Sequence, residues 1–195
     1  TIDHVQIYAK GTEQYTLIPD LSFEKNLIAL GYDSGPTDGK VLTANISTLT
    51  SLNITANSNG VGLVKDLMGI QDFTALTLLN CQGQQLTTLD LTKNTALVTL
   101  NCQNNLLTNL NISKNSSLTT IICNNNNLTN LDVSEKLALT NLQCTSNKLT
   151  SLNISKNTAL ITLLCDKNSL TSLDVAKNTA LVTLDCSANL LTSLD

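Results

Sequence analysis

The chain has 195 residues, a formal net charge of −4 and only 13% charged side chains. Intrinsic disorder is excluded, because a chain with 42% hydrophobic residues and so little charge can bury a core. An acidic chain without arginine lacks the phosphate-neutralising surface that nucleic-acid binding needs, and no apolar run reaches the roughly 20 residues of a membrane helix. A single histidine, and few acidic residues outside a repeating pattern, argue against an enzyme.

A short helix is predicted over residues 20–31. Asp20 or Ser22 can cap its first turn, and Gly31 can end it. Its apolar residues fall on one face, as expected of a helix that covers the end of a larger core: Phe23, Leu27 and Leu30.

The segments that flank this helix are less regular. Residues 1–16 match no motif, although Val5, Ile7 and Tyr8 are compatible with a strand, and residues 33–39 and 57–62 have the composition of loops. Between the loops, residues 41–55 align with a later part of the chain as a degenerate zeroth coil. The alignment places Leu42, Ala44, Leu49, Leu52 and Ile54 at the positions of Leu142, Cys144, Leu149, Leu152 and Ile154.

From Leu76 to Asp195 the sequence repeats every 21 residues without an insertion or deletion. The shared pattern of the six units is L-x-x-L-x-C-x-x-N-x-L-x-x-L-x-(I/V/L), and the last unit is incomplete. Apolar and polar residues alternate around Leu100 and Cys102, which predicts a strand of about five residues. Such a strand has no neighbour inside its own unit, so it must pair in parallel with the strand of the next unit. The repeat therefore predicts a solenoid.

An asparagine column follows the predicted strands, and a glutamine takes its place in the first unit. Backbone groups that turn inward there lose water and must find partners. We expect these amides to bond to their own coil and to the next one. The predicted structural ladder consists of Asn105, Asn126, Asn147, Asn168 and Asn189, with Gln84 in the first coil.

One cysteine per unit occupies an inward strand position, and three interpretations compete. Metal binding usually needs ligands paired closely in sequence, and the only histidine, His4, lies far outside the repeat. Disulfides prefer Cβ atoms about 3.8 Å apart, whereas in-register strands hold them near 4.8 Å. We favour a ladder of buried free thiols that act as small hydrophobic groups: Cys81, Cys102, Cys123, Cys144, Cys165 and Cys186.

The unit resembles the leucine-rich repeat family, whose core segment is LxxLxLxxNxL, over residues 76–195. That resemblance implies a mainly β (α+β) solenoid, a right-handed superhelix with a parallel sheet on its concave side and short extended convex segments. The 21-residue period with one cysteine is similar to a subgroup of internalins, which are bacterial surface proteins. The order of IPD-x₃-E-x₂-L-x₂-LG and LMGIQDFTAL resembles the helical cap of internalins. Residues 1–75 are thus predicted to form a cap, and residues 76–195 the repeat domain.

The family resemblance implies a non-enzymatic recognition or adhesion module, extracellular or on a cell surface, that binds a protein or cell-surface ligand on its concave face. We expect a monomer with no cofactor. Alternation along the strands predicts the side chains of that face: Thr99, Asn101, Gln103, Thr120, Ile122, Asn124, Asn141, Gln143, Thr145, Thr162, Leu164, Asp166, Thr183 and Asp185.

Two alternatives remain open at this point. Residues 76–195 contain no Trp, Tyr or Arg, the residues in which binding hot spots are enriched, so the array could instead be a spacer in a larger surface protein. We expect more chain after Asp195, because the last unit stops in the middle of a coil. A more remote alternative is ice binding by a row of threonines: Thr87, Thr108, Thr129, Thr150, Thr171 and Thr192.

Overall fold

The computed structural model describes residues 13–56 and 61–192 and confirms the predicted solenoid. The first elements are β1 (Tyr15–Leu17), α1 (Leu21–Ala29), β2 (Lys40–Leu42) and α2 (Thr43–Ile46), and β1 pairs antiparallel with β2. A 3-10 turn spans Ile70–Asp72. A parallel sheet then runs in chain order through β3 (Ser51–Asn53), β4 (Leu78–Asn80), β5 (Thr99–Asn101), β6 (Thr120–Ile122), β7 (Asn141–Gln143), β8 (Thr162–Leu164) and β9 (Thr183–Asp185).

The register of the sheet follows the 21-residue period. Leu79 lies opposite Leu100, and Leu100 lies opposite Ile121. The central residue of each strand from β3 to β8 is fully buried, while its neighbours point away from the core. The convex side of the repeats is built from extended segments and turns, as expected for so short a unit. No helix within the described ranges has the length and apolarity needed to cross a membrane.

The cysteines form a column of free thiols inside the solenoid. Those from Cys81 to Cys165 are fully buried, and only Cys186 is partly exposed. Burial disfavours the thiolate, which raises the pKa of Cys102 and of Cys165 to about 12 and that of Cys123 well above its ordinary value. The buried sulfur atoms therefore remain protonated at neutral pH.

The first asparagine column ties each turn to the coil before it. In Asn105, Nδ2 donates to the carbonyls of Cys81 and Cys102, both at 3.0 Å, and Oδ1 accepts from the backbone N–H of Leu86 at 3.0 Å. Asn126 makes the same set of bonds one coil further on. The expectation that these amides reach the next coil was wrong. The turn after each strand points the amide toward a carbonyl of the preceding coil rather than toward the following coil.

A left-handed residue precedes each of these asparagines. Its backbone φ lies between 51° and 57° in five successive coils, and Gly83 takes the position in the first coil with a φ of 74°. Only glycine adopts this region without steric cost, and asparagine is the next best tolerated residue. The other five residues are Asn104, Asn125, Ser146, Lys167 and Ala188.

A second column of buried amides runs along the convex side and was missed by the sequence analysis. In Asn115, Nδ2 donates to the carbonyls of Leu91 (3.0 Å) and Asn94 (2.8 Å) in the preceding coil. Its Oδ1 is buried without a hydrogen-bond partner, unlike Oδ1 in the first column. The second column is Asn94, Asn115, Asn157 and Asn178, and Lys136 interrupts it between the second and third of these.

The helical cap covers the N-terminal end of the core. Asp20 is the N-cap of α1, where Oδ1 accepts from the N–H groups of Ser22 and Phe23. Its Oδ2 accepts from the backbone of Lys65 and Asp66, which fixes the helix to the following coil. The Phe23 ring stacks on that of Phe73 with centroids 6.2 Å apart, so the cap and the array share one core.

The proposed register of the zeroth coil is corrected by the strand pairing. Leu52 lies opposite Leu79 in the sheet, so it occupies the position of Leu142 rather than that of Leu152. Leu42 and Ala44 lie in β2 and α2, outside the parallel sheet. LTSLNI matches both halves of the repeating unit, so pattern alone could not choose between them. The possible strand at Val5–Tyr8 and most of the 57–62 loop lie outside the described residues.

We expect Asn126→Ala to lower the free energy of unfolding by about 1–3 kcal/mol, because it leaves the buried N–H of Leu107 without a partner and removes one of the two amide donors to each of the carbonyls of Cys102 and Cys123. Asn127→Ala is the matched control in the same asparagine run and should change it by less than about 0.5 kcal/mol. Urea unfolding of both variants measures the difference. Equal effects would refute the structural role of the column.

Thiol reagents should label Cys186 first in the folded protein, because it is the partly exposed member of the ladder. The other five should react only after unfolding, since they are fully buried. Mass spectrometry after labelling with and without denaturant identifies the modified residues. Rapid native labelling of Cys123 would contradict a sealed column.

Stability should fall as the pH rises above about 9. The unfolded chain ionises its thiols near their ordinary pKa, whereas the raised pKa values keep the buried thiols of the folded chain protonated. Ionisation therefore stabilises the unfolded state relative to the folded state. Each buried thiol contributes a slope of up to about 1.4 kcal/mol per pH unit. Urea unfolding at pH 7.5, 9 and 10 measures how the free energy of unfolding depends on pH. Cys102→Ala should reduce the slope of that dependence by the contribution of one thiol. An unchanged slope in that variant would count against the interpretation.

Candidate binding face

The concave face consists of the outward side chains of β4–β9 and the residue two positions after each strand. All of the predicted binding residues except Asp166 are at least partly exposed there. They form three columns because parallel strands in register bring equivalent residues side by side. The sheet thus gathers onto one surface residues that are up to 86 positions apart, from Thr99 to Asp185.

A network of side-chain amides links neighbouring coils on this face. Gln82 Oε1 accepts from Asn101 Nδ2 at 3.1 Å and from Gln103 Nε2 at 2.6 Å. Asn124 Nδ2 lies 3.4 Å from both Gln103 Oε1 and Gln143 Oε1. The amides are therefore held in fixed orientations before any ligand arrives, although their partial exposure leaves donors and acceptors toward solvent.

The network ends at Asp166. The sequence predicts this residue to be an exposed binding residue, but the structure buries it. Asp166 as a whole is only 9% exposed, and its Oδ1 accepts from Thr145 Oγ1 at 2.5 Å. Its Oδ2 lies 3.8 Å from the Lys167 ammonium. The carboxylate is committed to contacts within the protein, so Asp166 positions its neighbours rather than presenting a free charge.

Asp185 is the exposed carboxylate of the face. The hydroxyl and backbone N–H of Ser187 donate to its Oδ1 at 2.7 and 3.0 Å, and these bonds hold the pKa of Asp185 below its ordinary value. The group is therefore ionised throughout the neutral range. It gives the end of the face nearest β9 a negative charge.

Apolar groups on this face are few and separated. Ile122 and Leu164 stand in the same column with Gln143 between them, and Leu78 lies at the first repeat. Protein-binding hot spots are usually clustered aromatic or arginine side chains, and the described part of the array has none. This surface can therefore bind mainly through many polar contacts.

The row of threonines that suggested ice binding is exposed along its whole length from Thr87 to Thr192. These residues lie outside the strands, in the turn that leads to the convex side. The neighbouring row mixes residue types: Thr88, Asn109, Asn130, Ser151 and Ser172.

No protein-family model and no curated protein matches the sequence. Several solved structures, however, are similar to the chain. The functional domain of InlJ from Listeria monocytogenes, which includes a cysteine ladder, is 31% identical. The match covers 94% of this chain and 50% of that one, with a TM-score of 0.59.

Two further structures share the fold. The internalin inlF from Listeria monocytogenes is 20% identical over 91% of this chain and 58% of its own, with a TM-score of 0.70. A leucine-rich repeat protein from Leptospira interrogans is 24% identical over 65% of this chain and 35% of its own, with a TM-score of 0.61. The chain thus spans between 35% and 58% of the length of these similar structures.

The cysteine column, the helical cap and the parallel solenoid occur together in this chain, and the similarity to InlJ extends over nearly all of it. At the level of the family this supports a protein-interaction or adhesion-type module. The chain is an internalin-like bacterial leucine-rich repeat protein with 21-residue units and a cysteine ladder.

Proposed function

We propose that the chain is a non-enzymatic recognition module that binds a protein or cell-surface ligand on its concave face, outside the cell. The observation that carries the proposal is the amide network from Gln82 to Gln143, which presents oriented donors and acceptors across successive coils. A structural role alone would not need side-chain bonds on the solvent side, because the backbone ladder already joins the strands.

Pre-orientation is what makes such a polar face a useful binding surface. Binding normally costs about 0.5–1.5 kcal/mol for each flexible side chain that becomes fixed. Amides such as Gln103 and Asn124 already hold one another, so less of that cost falls on ligand binding. Selectivity would then come from matching hydrogen bonds, since an unmatched buried amide is costly.

Buried thiols are compatible with an extracellular location. A thiol needs access to an oxidant and to a partner sulfur in suitable geometry before it can form a disulfide. The column from Cys81 to Cys165 is fully enclosed, so these cysteines can stay reduced in an oxidising medium.

We infer that the module acts as a monomer.

The decisive test combines three substitutions on the exposed part of the concave face: Gln103→Ala, Gln143→Ala and Asp185→Ala. We expect attachment to immobilised cell-surface protein extracts to weaken at least tenfold, with a change in Tm of only a few degrees. Asp166 is left intact because it is buried and bonded to Thr145, so its loss would also perturb the fold.

The matched control replaces three exposed threonines outside the concave face: Thr108→Ala, Thr129→Ala and Thr171→Ala. This variant should attach as the wild type does. If the concave variant also attaches normally, the recognition proposal fails and the spacer interpretation takes its place. Thermal hysteresis in the wild type that disappears in the threonine variant would instead indicate ice binding.

A further inference from the structure

The net charge of the chain is confined to its cap. Residues 13–75 contain seven acidic side chains and three lysines, whereas residues 76–195 contain seven of each. The cap therefore carries the whole formal charge of −4, and the repeat array is neutral. Because opposite charges attract over a distance, a positively charged partner is drawn to the cap rather than to the array.

A cavity of about 490 Å³ lies where the cap meets the first two coils of the array, between residues 66–71, 87–93 and 108–111. Cavities between later coils reach only about 200 and 210 Å³. The difference arises because the chain at 66–72 makes a 3-10 turn instead of the extended path of a repeat coil, which leaves a wider gap. Its volume lies within the roughly 300–1,000 Å³ of ligand pockets.

The floor and part of the rim of this cavity are apolar. Leu67, Ile70 and Leu89 form the floor, and each is buried beneath the cavity. Met68 stands on the rim and is more than half exposed. A methionine side chain is unbranched and polarisable, so it adapts its shape to an apolar group that enters. The cavity therefore favours a ligand with an apolar side chain, because that side chain leaves water when it reaches the floor.

The apolar surface continues from Met68 onto the cap. Gly69 has a φ of 103° and packs so closely on β1 that a Cβ atom there would lie 2.6 Å from the Leu17 carbonyl oxygen. This packing holds Met68 beside Leu17. Leu21 begins α1, whose N-cap carboxylate is bonded to the chain just before the cavity floor. All three apolar side chains are more than half exposed, and we call Leu17, Leu21 and Met68 the cap patch.

Two exposed carboxylates border the cavity, and each has one oxygen atom without a hydrogen bond from the described residues. Asp66 Oδ1 accepts from the backbone N–H of Met68 at 2.9 Å. Asp90 Oδ1 accepts from the N–H and the hydroxyl of Thr92 at 2.9 and 2.7 Å, which lowers the pKa of Asp90 and keeps it ionised. Lys93 also lines the cavity, but neither carboxylate is ion-paired within the described part of the chain. Both can therefore accept from a cationic group of a ligand.

We propose that the cavity and the cap patch together bind a basic, apolar segment of a partner protein. An apolar side chain of that segment fills the cavity above Leu89, and its lysine or arginine side chains reach Asp66 and Asp90. The negative charge of the cap is complementary to such a segment, and the apolar floor distinguishes it from a purely basic one. The site uses no residue of the concave face, so both surfaces can be occupied at once.

Titration of the ¹⁵N-labelled chain with three acetylated and amidated tetrapeptides tests the proposal: Lys-Leu-Leu-Lys, Glu-Leu-Leu-Glu and Lys-Ser-Ser-Lys. The first should shift the amide signals of Met68, Leu89 and Asp90 and leave those of Asn153 and Asp174, beside a later cavity, unchanged. It should bind at least tenfold more tightly than the other two, because it alone is both basic and apolar. Equal binding of either comparison peptide, or equal shifts at both cavities, would overturn the assignment.

Asp90→Asn removes the charge and keeps the turn, because Asn111 at the same position of the next coil accepts from the N–H of Ser113 at 3.1 Å. This variant should keep its Tm and bind the Lys-Leu-Leu-Lys peptide at least threefold more weakly. Asp174→Asn makes the same change in the equivalent turn four coils further on and should bind as the wild type does. Equal affinities of the two variants would show that Asp90 does not hold the cation.

Met68→Ser tests the apolar part of the site and should also weaken the peptide at least threefold. Leu137→Ser removes an exposed apolar side chain far along the array and is the matched control, with unchanged binding expected. Two results would assign the site to another occupant and overturn the proposal. Shifts of the same amides that grow with protein concentration would indicate a second copy of the chain, and NOE contacts from the Met68 methyl group to residues 1–12 would indicate the chain itself.

Discussion

The structure depends on satisfying backbone groups where each coil leaves the sheet. Three-residue strands provide few ladder bonds, and the turns between them carry inward-facing carbonyls with no strand partner. The amide of Asn105 supplies donors for two of these carbonyls and an acceptor for the N–H of Leu86. Repetition of this arrangement at every coil allows the leucine core to continue without helices.

The same constraint explains why the two faces of the solenoid differ. On the concave side the strands hold the backbone, so outward residues such as Gln103 and Gln143 are free to form a side-chain network. On the convex side the second amide column is part of the scaffold, and its Oδ1 atoms are buried without partners. A replacement like Lys136 therefore disturbs the convex side, whereas the concave side tolerates variation from coil to coil.

The thiol ladder follows from packing in the same narrow interior. A cysteine side chain is small and carries no strong polar group, so it fills the space beside the asparagine column without competing for its hydrogen bonds. Cys102 and Cys123 each lend their backbone carbonyl to that column while their sulfur atoms lie in the core. Ile54 occupies the cysteine position in the coil of β3, where the cap begins.

Sequence alone determined the 21-residue solenoid, the inward leucines and cysteines, and the helix that Asp20 caps, because each depends on local spacing or local caps. Only the tertiary structure decided features that join distant residues. It showed that Leu52 rather than Leu42 pairs with the array, that Asn105 reaches back rather than forward, and that Asp166 is enclosed by Thr145. A repeat pattern records which residue departs from the others, but not the space that surrounds it.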